Sequence, residues 1–374
     1  MGNSNLITTY VFGAGRKEKF NTDDFRAKEF FYGYSYFEQR SKTLLIEMKN
    51  PEDGNNLILN FVDRVIRKLT ELPIYTKDIV SVESFKILKK TDKLILTTEL
   101  LGLSLLPLLL IVKIFKKMEI YVIVMGLFGR KPSNTIVKFF QNTTIALLSI
   151  LTNKYIFIGK GEFLQAKKQY PKLHSKFSYM PFSIDLDFWR PLENYQEKNI
   201  NNNILFVGND GKRDYNLLVE IAKKMKEFNF TFITNQIQQC DLDNVNLIKG
   251  SWGEGVLTDE QMKNYYQDSL ITILPIIDTF QPSGQSVALQ SIACGTPVLI
   301  SRTKGFWDED LFTNNENIFF VDINSTNEWC ENIETLQNDQ ALLSRCSMNG
   351  LKTVTEHLDL NMFSLKLYNL VHET

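Results

Sequence analysis

Histidine is scarce in this chain of 374 residues: only His174, His357 and His372 occur, so acid–base schemes built on imidazole have few candidates. The four cysteines, Cys240, Cys294, Cys330 and Cys346, stand far apart with no C-x-x-C pair. That excludes a disulfide framework and a cysteine zinc site, and a reducing cytoplasm is the simplest home. The start, MGNSNLITTYVFGAG, lacks a basic head, a long apolar run and a small-residue cleavage site, and reads as a first strand. Leu6 stands where a myristoylation signal would place Ser or Thr. Excess charge of one sign is missing too: 42 Lys plus Arg against 43 Asp plus Glu gives a net charge of −1. No global field draws the chain onto nucleic acid, so any anion site must be local. The longest apolar run, Leu100 to Val112, would span about 20 Å as a helix, short of the roughly 30 Å of a bilayer core. It is bounded by Glu99 and by Lys113, Lys116 and Lys117. Two readings remain for it: a buried helix packed on a sheet, or a helix over Leu100 to Lys117 that docks peripherally on the inner membrane face.

What is present is ordinary globular composition, 44% apolar and 23% charged, which excludes a disordered chain and a collagen. At roughly 150 residues per domain the length suits two domains. Short apolar runs alternate with helical patterns throughout, the signature of βα units and parallel sheets. The pattern predicts strands near Leu6 to Phe12, Thr43 to Met48, Lys93 to Thr97, Ile120 to Met125 and Tyr155 to Ile158. In the second half it predicts them near Asn203 to Val207, Phe230 to Thr234, Val245 to Lys249, Ile271 to Leu274, Pro297 to Ser301 and Ile318 to Val321. Helices fall between them, including Asp24 to Gln39, Asn56 to Glu71 and Ser133 to Thr152. The segment Met180 to Asn203, with two prolines and an Asn run, has the composition of a domain crossing. The expected division is therefore residues 1–182, residues 183–357, and a terminal helix over residues 358–374 that packs back across the domains.

Two loops carry the strongest candidates for chemistry. In Gly208-Asn209-Asp210-Gly211-Lys212-Arg213-Asp214 a strand runs into a glycine-containing turn and then a helix, placing two cations beside free helix-start amides, a natural diphosphate site. The alternative is a solvated basic turn with Asp214 as N-cap. In the block Asp278 to Pro297, Ser283 can cap a helix whose first turn, Gly284-Gln285-Ser286, leaves its amides accessible at the carboxyl end of a parallel strand, where open α/β sheets bind ligands. Gln290 lies about two turns on, placed to reach a ligand hydroxyl or to be solvated. The loop Gly13-Ala14-Gly15-Arg16 fails as a dinucleotide fingerprint because Glu18 stands where the third glycine belongs. Asp185-Leu186-Asp187 and Asp241-Leu242-Asp243 define no convergent oxygen shell, so no metal site is expected. Lys160 and Glu162 read as solvated, and Trp189, Trp252 and Trp307 as packing residues.

Together these segments resemble the GT-B glycosyltransferases of the broad retaining family 4 type. Ser291-Ile292-Ala293-Cys294-Gly295-Thr296-Pro297-Val298 closely matches the end of that family's E-G-F-G-x-x-x-x-E-A-M-A-C-G-x-P-V block. The resemblance also takes in the Gly208 to Asp214 loop, Leu247 to Trp252 and the crossing Pro181 to Asp185. It implies an α/β chain of two Rossmann-like domains with parallel sheets facing a central cleft. It further implies transfer of a hexosyl group from a nucleotide-diphosphate sugar to a carbohydrate or glycolipid acceptor, with retention, without metal or other cofactor, in polysaccharide or glycolipid assembly. Lys212 and Arg213 would contact the diphosphate as the catalytic cations, Gln290 the ribose, and Gly250 and Trp252 the base. Gly208, Asn209, Ser283, Gly284, Gln285 and Ser286 would complete the donor site. Gly13, Gly15, Arg16 and Arg130 would line the first-domain side. The chain departs from the pattern where both glutamates of the E-x7-E pair are replaced, by Pro282 and Gln290, and where the first-domain histidine is absent. A GT-B nucleotide-sugar epimerase and a non-catalytic nucleotide-sugar binding protein stay open as alternatives.

Overall fold

The structure, a computed structural model, describes residues 6–22, 26–50, 57–193, 202–250 and 257–372. Its strands form two six-stranded sheets in which every pair is parallel. The first contains β1 (Ile7–Phe12), β2 (Lys42–Glu47), β3 (Lys93–Leu96), β4 (Glu119–Val124), β5 (Lys154–Phe157) and β6 (Phe177–Tyr179), in the order β2-β1-β3-β4-β5-β6. The second contains β7 (Asn203–Val207), β8 (Asn229–Ile233), β9 (Val245–Ile248), β10 (Ile271–Leu274), β11 (Val298–Ser301) and β12 (Phe319–Val321), in the order β12-β11-β10-β7-β8-β9. Parallel strands need crossovers, and the crossovers lay helices on both faces. This is why the inner strands are buried on both sides: all four residues of β3 and of β10 are buried.

The first-half helices are α1 (Arg16–Phe20), α2 (Tyr34–Glu38), α3 (Leu57–Thr70), α4 (Val82–Leu88), α5 (Glu99–Phe115), α6 (Thr135–Leu151) and α7 (Lys160–Gln169). Those of the second half are α8 (Tyr215–Lys224), α9 (Asp259–Asp268), α10 (Gln285–Ala293), α11 (Thr326–Asn338), α12 (Gln340–His357) and α13 (Leu360–His372). Side-chain caps set several starts: Asn134 accepts from Val137 N–H, Asp214 from Leu217 N–H, and Thr258 with Gln261 forms a capping box.

Two expectations need correction, and the apolar run takes the first of its two readings. The helix over Asp24 to Gln39 is interrupted within its described part: a 3-10 turn over Glu29–Phe31 meets Tyr32 and Gly33, both at positive φ (49° and 76°), before α2 begins. Tertiary packing overrides helical pattern there, because α13 lies against the bend and a Cβ on Gly33 would sit 2.9 Å from Ser364 Oγ. The edge strand β6, Phe-Ser-Tyr, escaped the strand pattern because it is short and only its first residue is buried, whereas the equally short β12, Phe-Phe-Val, is wholly apolar and buried. The apolar run in α5 is mainly core: Leu101, Leu103, Leu105, Leu106, Leu108 and Leu109 are buried, and only the last turns surface. Among the described residues, no helix is long and apolar enough to cross a membrane.

The two halves meet through the loops that follow the carboxyl ends of their strands. Gly126 faces the Gln281 side chain, Gly129 faces Phe280, Gly159 faces Pro282 and Gly161 faces the Lys304–Gly305 backbone. Backbone bonds run across as well: Lys160 N–H donates to Trp307 O at 2.7 Å and Gly161 N–H to Phe306 O at 3.3 Å. One hydrophobic core carries Phe31, Ile158 and Phe182 from the first half with Ala288, Ile300 and Trp307 from the second. α13 returns to the first sheet's helices, its Tyr368 ring 5.0 Å from Phe37 and its Phe363 ring 6.5 Å from Tyr32.

Candidate functional site

The turn after β7 and the start of α10 meet around one buried guanidinium. Arg213 donates from Nη1 to Ser283 Oγ at 2.7 Å and lies 3.3 Å from the Asp210 carboxylate. Ser283 Oγ in turn donates to Asp210 Oδ2 at 2.7 Å, closing a three-membered network. The turn is held shut by Lys212 N–H donating to Asp210 Oδ1 at 2.8 Å. Gly208 is required beneath it, since a Cβ there would fall 2.5 Å from Arg213 Nε. That Nε is buried without a protein partner among the described residues. Burial lowers the Arg213 pKa from its ordinary value and the Asp210 charge opposes the shift, yet an arginine remains a fixed cation.

Gly284 opens α10 in the left-handed region at φ 81°, and a Cβ on it would stand 3.4 Å from Arg213 Nη1. The sequence expectation that Ser283 caps α10 is therefore corrected: Gly284, with no side chain, occupies the N-cap position, and Ser283 Oγ bonds Arg213 and Asp210 instead. The first amides of such a helix, at Gln285, Ser286 and the residue after, have no intrahelical acceptor and carry the positive end of its dipole. A fixed cation and a run of donors thus converge at the carboxyl end of β10. Gln285 is buried and reaches the first domain, donating to Ile158 O at 3.0 Å, while Ser286 is half-buried.

Lys212 points elsewhere. It lines an interdomain cleft of about 430 Å³ with Arg130, Lys131 and Lys304, the acids Glu71 and Asp278, and the Thr279–Gln281 loop. The cleft is cationic and polar, and Lys304 pairs with Asp278 across its rim at 2.5 Å. The Arg130 side of the cleft is shaped from beneath by a buried carboxylate: Glu162 accepts from Gly126 N–H at 2.7 Å and Phe128 N–H at 2.9 Å. Glu162 is fully buried, which corrects the solvated reading; Lys160 pairs outward with Asp308 and Asp310. Burial, with the Glu99 charge beside it, raises the Glu162 pKa from 4.5 to about 8.

That shift has a sign that can be checked. A carboxyl with a raised folded-state pKa holds its proton more tightly in the fold, so its stabilising share is complete below the unfolded value and is lost as pH climbs through about 8. Glu29, raised to about 7 mainly by burial, acts in the same direction. Melting temperature should therefore fall between pH 5.5 and 8.5, and Glu162→Gln should flatten that fall. An equal slope in wild type and variant, read by calorimetry, would remove the assignment.

The remaining expected residues are placed as follows. Gln290 is corrected from a ribose contact to an interdomain tie: its Nε2 donates to Glu29 Oε1 at 2.7 Å, and its Oε1 accepts from Tyr266 Oη at 3.0 Å. Trp189 Nε1 donates to the same Glu29 oxygen at 2.9 Å. The physical reason is that α10 is buried between the domains, so its Gln290 face meets protein. Asn209 is spent similarly, donating to Gly250 O at 2.8 Å and accepting from Asn235 N–H at 2.6 Å, which ties the ends of β7, β8 and β9 together. Trp252 lies outside the described residues. Gly13 and Gly15 border open space, where a Cβ would meet nothing within 4 Å, and Arg16 lies 5.5 Å over the Phe30 ring, its pKa lowered by burial. Asp185 is used in a turn, accepting from Lys28 N–H at 3.1 Å and Phe188 N–H at 3.3 Å.

Sequence reasoning missed Asp210 as the partner of Arg213, although it lies inside the quoted turn. It also missed Glu29, Lys131 and Lys304. Glu29 sits in the aromatic-rich stretch Phe25 to Phe37, where a lone carboxylate among rings is the signal that was available.

Residues 192–353 match the family model for glycosyl transferases group 1. None of the curated proteins matches the chain. Among solved structures it is similar to Anabaena HepE in complex with UDP and glucose, with a TM-score of 0.68 at 9% identity over 99% of this chain and 100% of that one. It is also similar to a sucrose-phosphate synthase from Thermosynechococcus elongatus, with a TM-score of 0.68 at 12% identity over 98% of each chain. A glycosyltransferase from Rickettsia africae gives a TM-score of 0.63 at 12% identity over 99% of each. Identities this low establish the fold alone. The chain therefore has the GT-B fold, two α/β domains whose parallel sheets face one cleft, and its second half matches glycosyl transferases group 1 over residues 192–353.

Proposed function

We propose that this chain transfers a hexosyl group from a nucleotide-diphosphate sugar to a carbohydrate or glycolipid hydroxyl, with retention of anomeric configuration and without a metal ion, in polysaccharide or glycolipid assembly in the cytoplasm. The observation that carries the reading is the buried Arg213 beside the open start of α10. The hard part of such a transfer is the departing diphosphate, whose growing charge must be met by groups already in place. Arg213 and the first α10 amides meet it on the second-domain side. Lys212, Arg130, Lys131 and Lys304 line the cleft in front of the Thr279–Gln281 loop and suit the outer phosphate or the acceptor. With no free imidazole at the cleft, the leaving phosphate oxygen is the group that takes the acceptor proton, so the bond to phosphate breaks as the new glycosidic bond forms on the same face. The GT-B fold shared with a protein bound to UDP and glucose supports a nucleotide-sugar donor.

A non-catalytic binding protein is the second reading, and one feature favours it: Pro282, in place of a carboxylate, packs so closely on Gly159 that a Cβ there would fall 2.8 Å from the proline ring. Thermal stabilisation by UDP, GDP, ADP and their sugars, followed by transfer of labelled sugar to an acceptor with and without EDTA, separates the cases. Stabilisation with transfer that survives EDTA supports the proposal. Stabilisation without turnover establishes the second reading, and isomerised free donor would make the protein an epimerase.

A further inference from the structure

Among the described residues, exposed apolar side chains gather on the first domain, on the outer faces of α3, α6 and the end of α5. α6 packs on both α3 and α5, so the three are contiguous. Their exposed side chains include Ile58 (77% exposed), Phe61 (66%), Ile114 (76%), Phe115 (75%), Phe139 (66%) and Ile150 (73%). On α6 these recur at helical spacing with Ile136, Phe140 and Leu147, one continuous outward stripe. α3 is turned inside out: its apolar side faces solvent, while Asp63 is buried and accepts from Lys77 N–H at 3.0 Å, and Arg67 donates inward to Ile74 O at 2.8 Å.

The charges on these helices have one sign at the surface. Both carboxylates, Asp63 and Glu99, are buried and α6 has none, whereas Arg64, Lys68 and Lys138 are exposed. A patch meant for a second copy of the chain would place cations against cations. We propose that this face seats the protein on an anionic phospholipid bilayer, with the phenylalanine and isoleucine side chains in the headgroup–acyl boundary and Arg64, Lys68 and Lys138 on lipid phosphates. The binding face is thus α3, α6 and the last turns of α5, and the buried body of the apolar run takes no part. The inference does not rest on the transfer reading, since it uses only the outer face of the first domain.

The test is co-sedimentation of the full chain with vesicles of pure phosphatidylcholine and of phosphatidylcholine with about 30 mol% phosphatidylglycerol, at low and high salt. Expected is binding that requires phosphatidylglycerol and weakens with salt. Phe61→Ser with Phe139→Ser and Ile150→Ser should lower it at least tenfold, as should Arg64→Glu with Lys68→Glu and Lys138→Glu, with melting temperature unchanged because every altered side chain is exposed. The proposal is overturned by any of three results: no vesicle binding, binding unchanged in both variants, or a stable dimer in buffer that the serine variant dissolves. Nucleotide-induced stabilisation, measured in the same variants, should stay as in wild type; its absence in every form would end the transfer reading and leave the vesicle result intact.

Discussion

Replacing Arg213 with alanine should weaken nucleotide-diphosphate binding by about 10–100-fold and slow sugar transfer by roughly 100–1,000-fold, the scale seen when one preorganised donor to a developing anion is removed. The side chain is buried, its polar partners among the described residues are Ser283 and Asp210, and its Nε faces no protein acceptor there. Its loss takes one partner from the Asp210 carboxylate, which keeps Ser283 Oγ and the Lys212 N–H and is partly exposed, so stability should drop by only about 1 kcal/mol. Arg213→Lys keeps the charge without the planar fork and should recover part of the affinity. Gly208→Ala leaves the arginine present but drives a methyl to 2.5 Å from its Nε, so it should mimic the loss in binding while keeping the charge. Calorimetric titration decides the matter: if folded Arg213→Ala binds nucleotide diphosphate as wild type does, the guanidinium is a structural group.

The sheets were legible because fully buried parallel strands announce themselves as apolar runs, and β3, β4, β10 and β11 contain little else. The stretch Tyr34 to Phe37 was legible as helix but not in its limits: the spacing between strands suggested one helix over Asp24 to Gln39, whereas the bend at Tyr32–Gly33 meets α13, more than three hundred residues later in the sequence. Gln290 and Asn209 stood out in the sequence as polar residues beside candidate loops, but which partner each amide takes depends on Glu29 and Gly250, which the fold brings in from far away. Arg213 and Lys212 are adjacent in sequence, and only the backbone of the turn decides that one faces α10 and the other the cleft. Spacing identifies the loop that holds cations; the direction of each needs the third dimension.

The closed arrangement of the domains makes one glycine a structural keystone, and Gly305→Ala should be the most destabilising of the glycine-to-alanine changes in the cleft loops. A Cβ at Gly305 would meet Phe280 C at 2.4 Å, its O at 2.5 Å and its Cα at 2.7 Å, all backbone atoms that cannot rotate away. On its other side the same segment already abuts Gly161, where a Cβ would fall 2.5 Å from Lys304 O. Three segments are therefore stacked at backbone contact, and a methyl inserted among them forces the Thr279–Gln281 loop off the first domain. Overpacking of this kind costs about 1–3 kcal/mol, or roughly 2–4 °C in Tm for each kcal/mol. The loop also carries Ser283 and the start of α10, so donor-induced stabilisation should shrink with it. Gly211→Ala is the control, because its Cβ meets nothing within 4 Å and its φ is not positive. If both variants melt with wild type and bind nucleotide equally, the domains do not close through this contact.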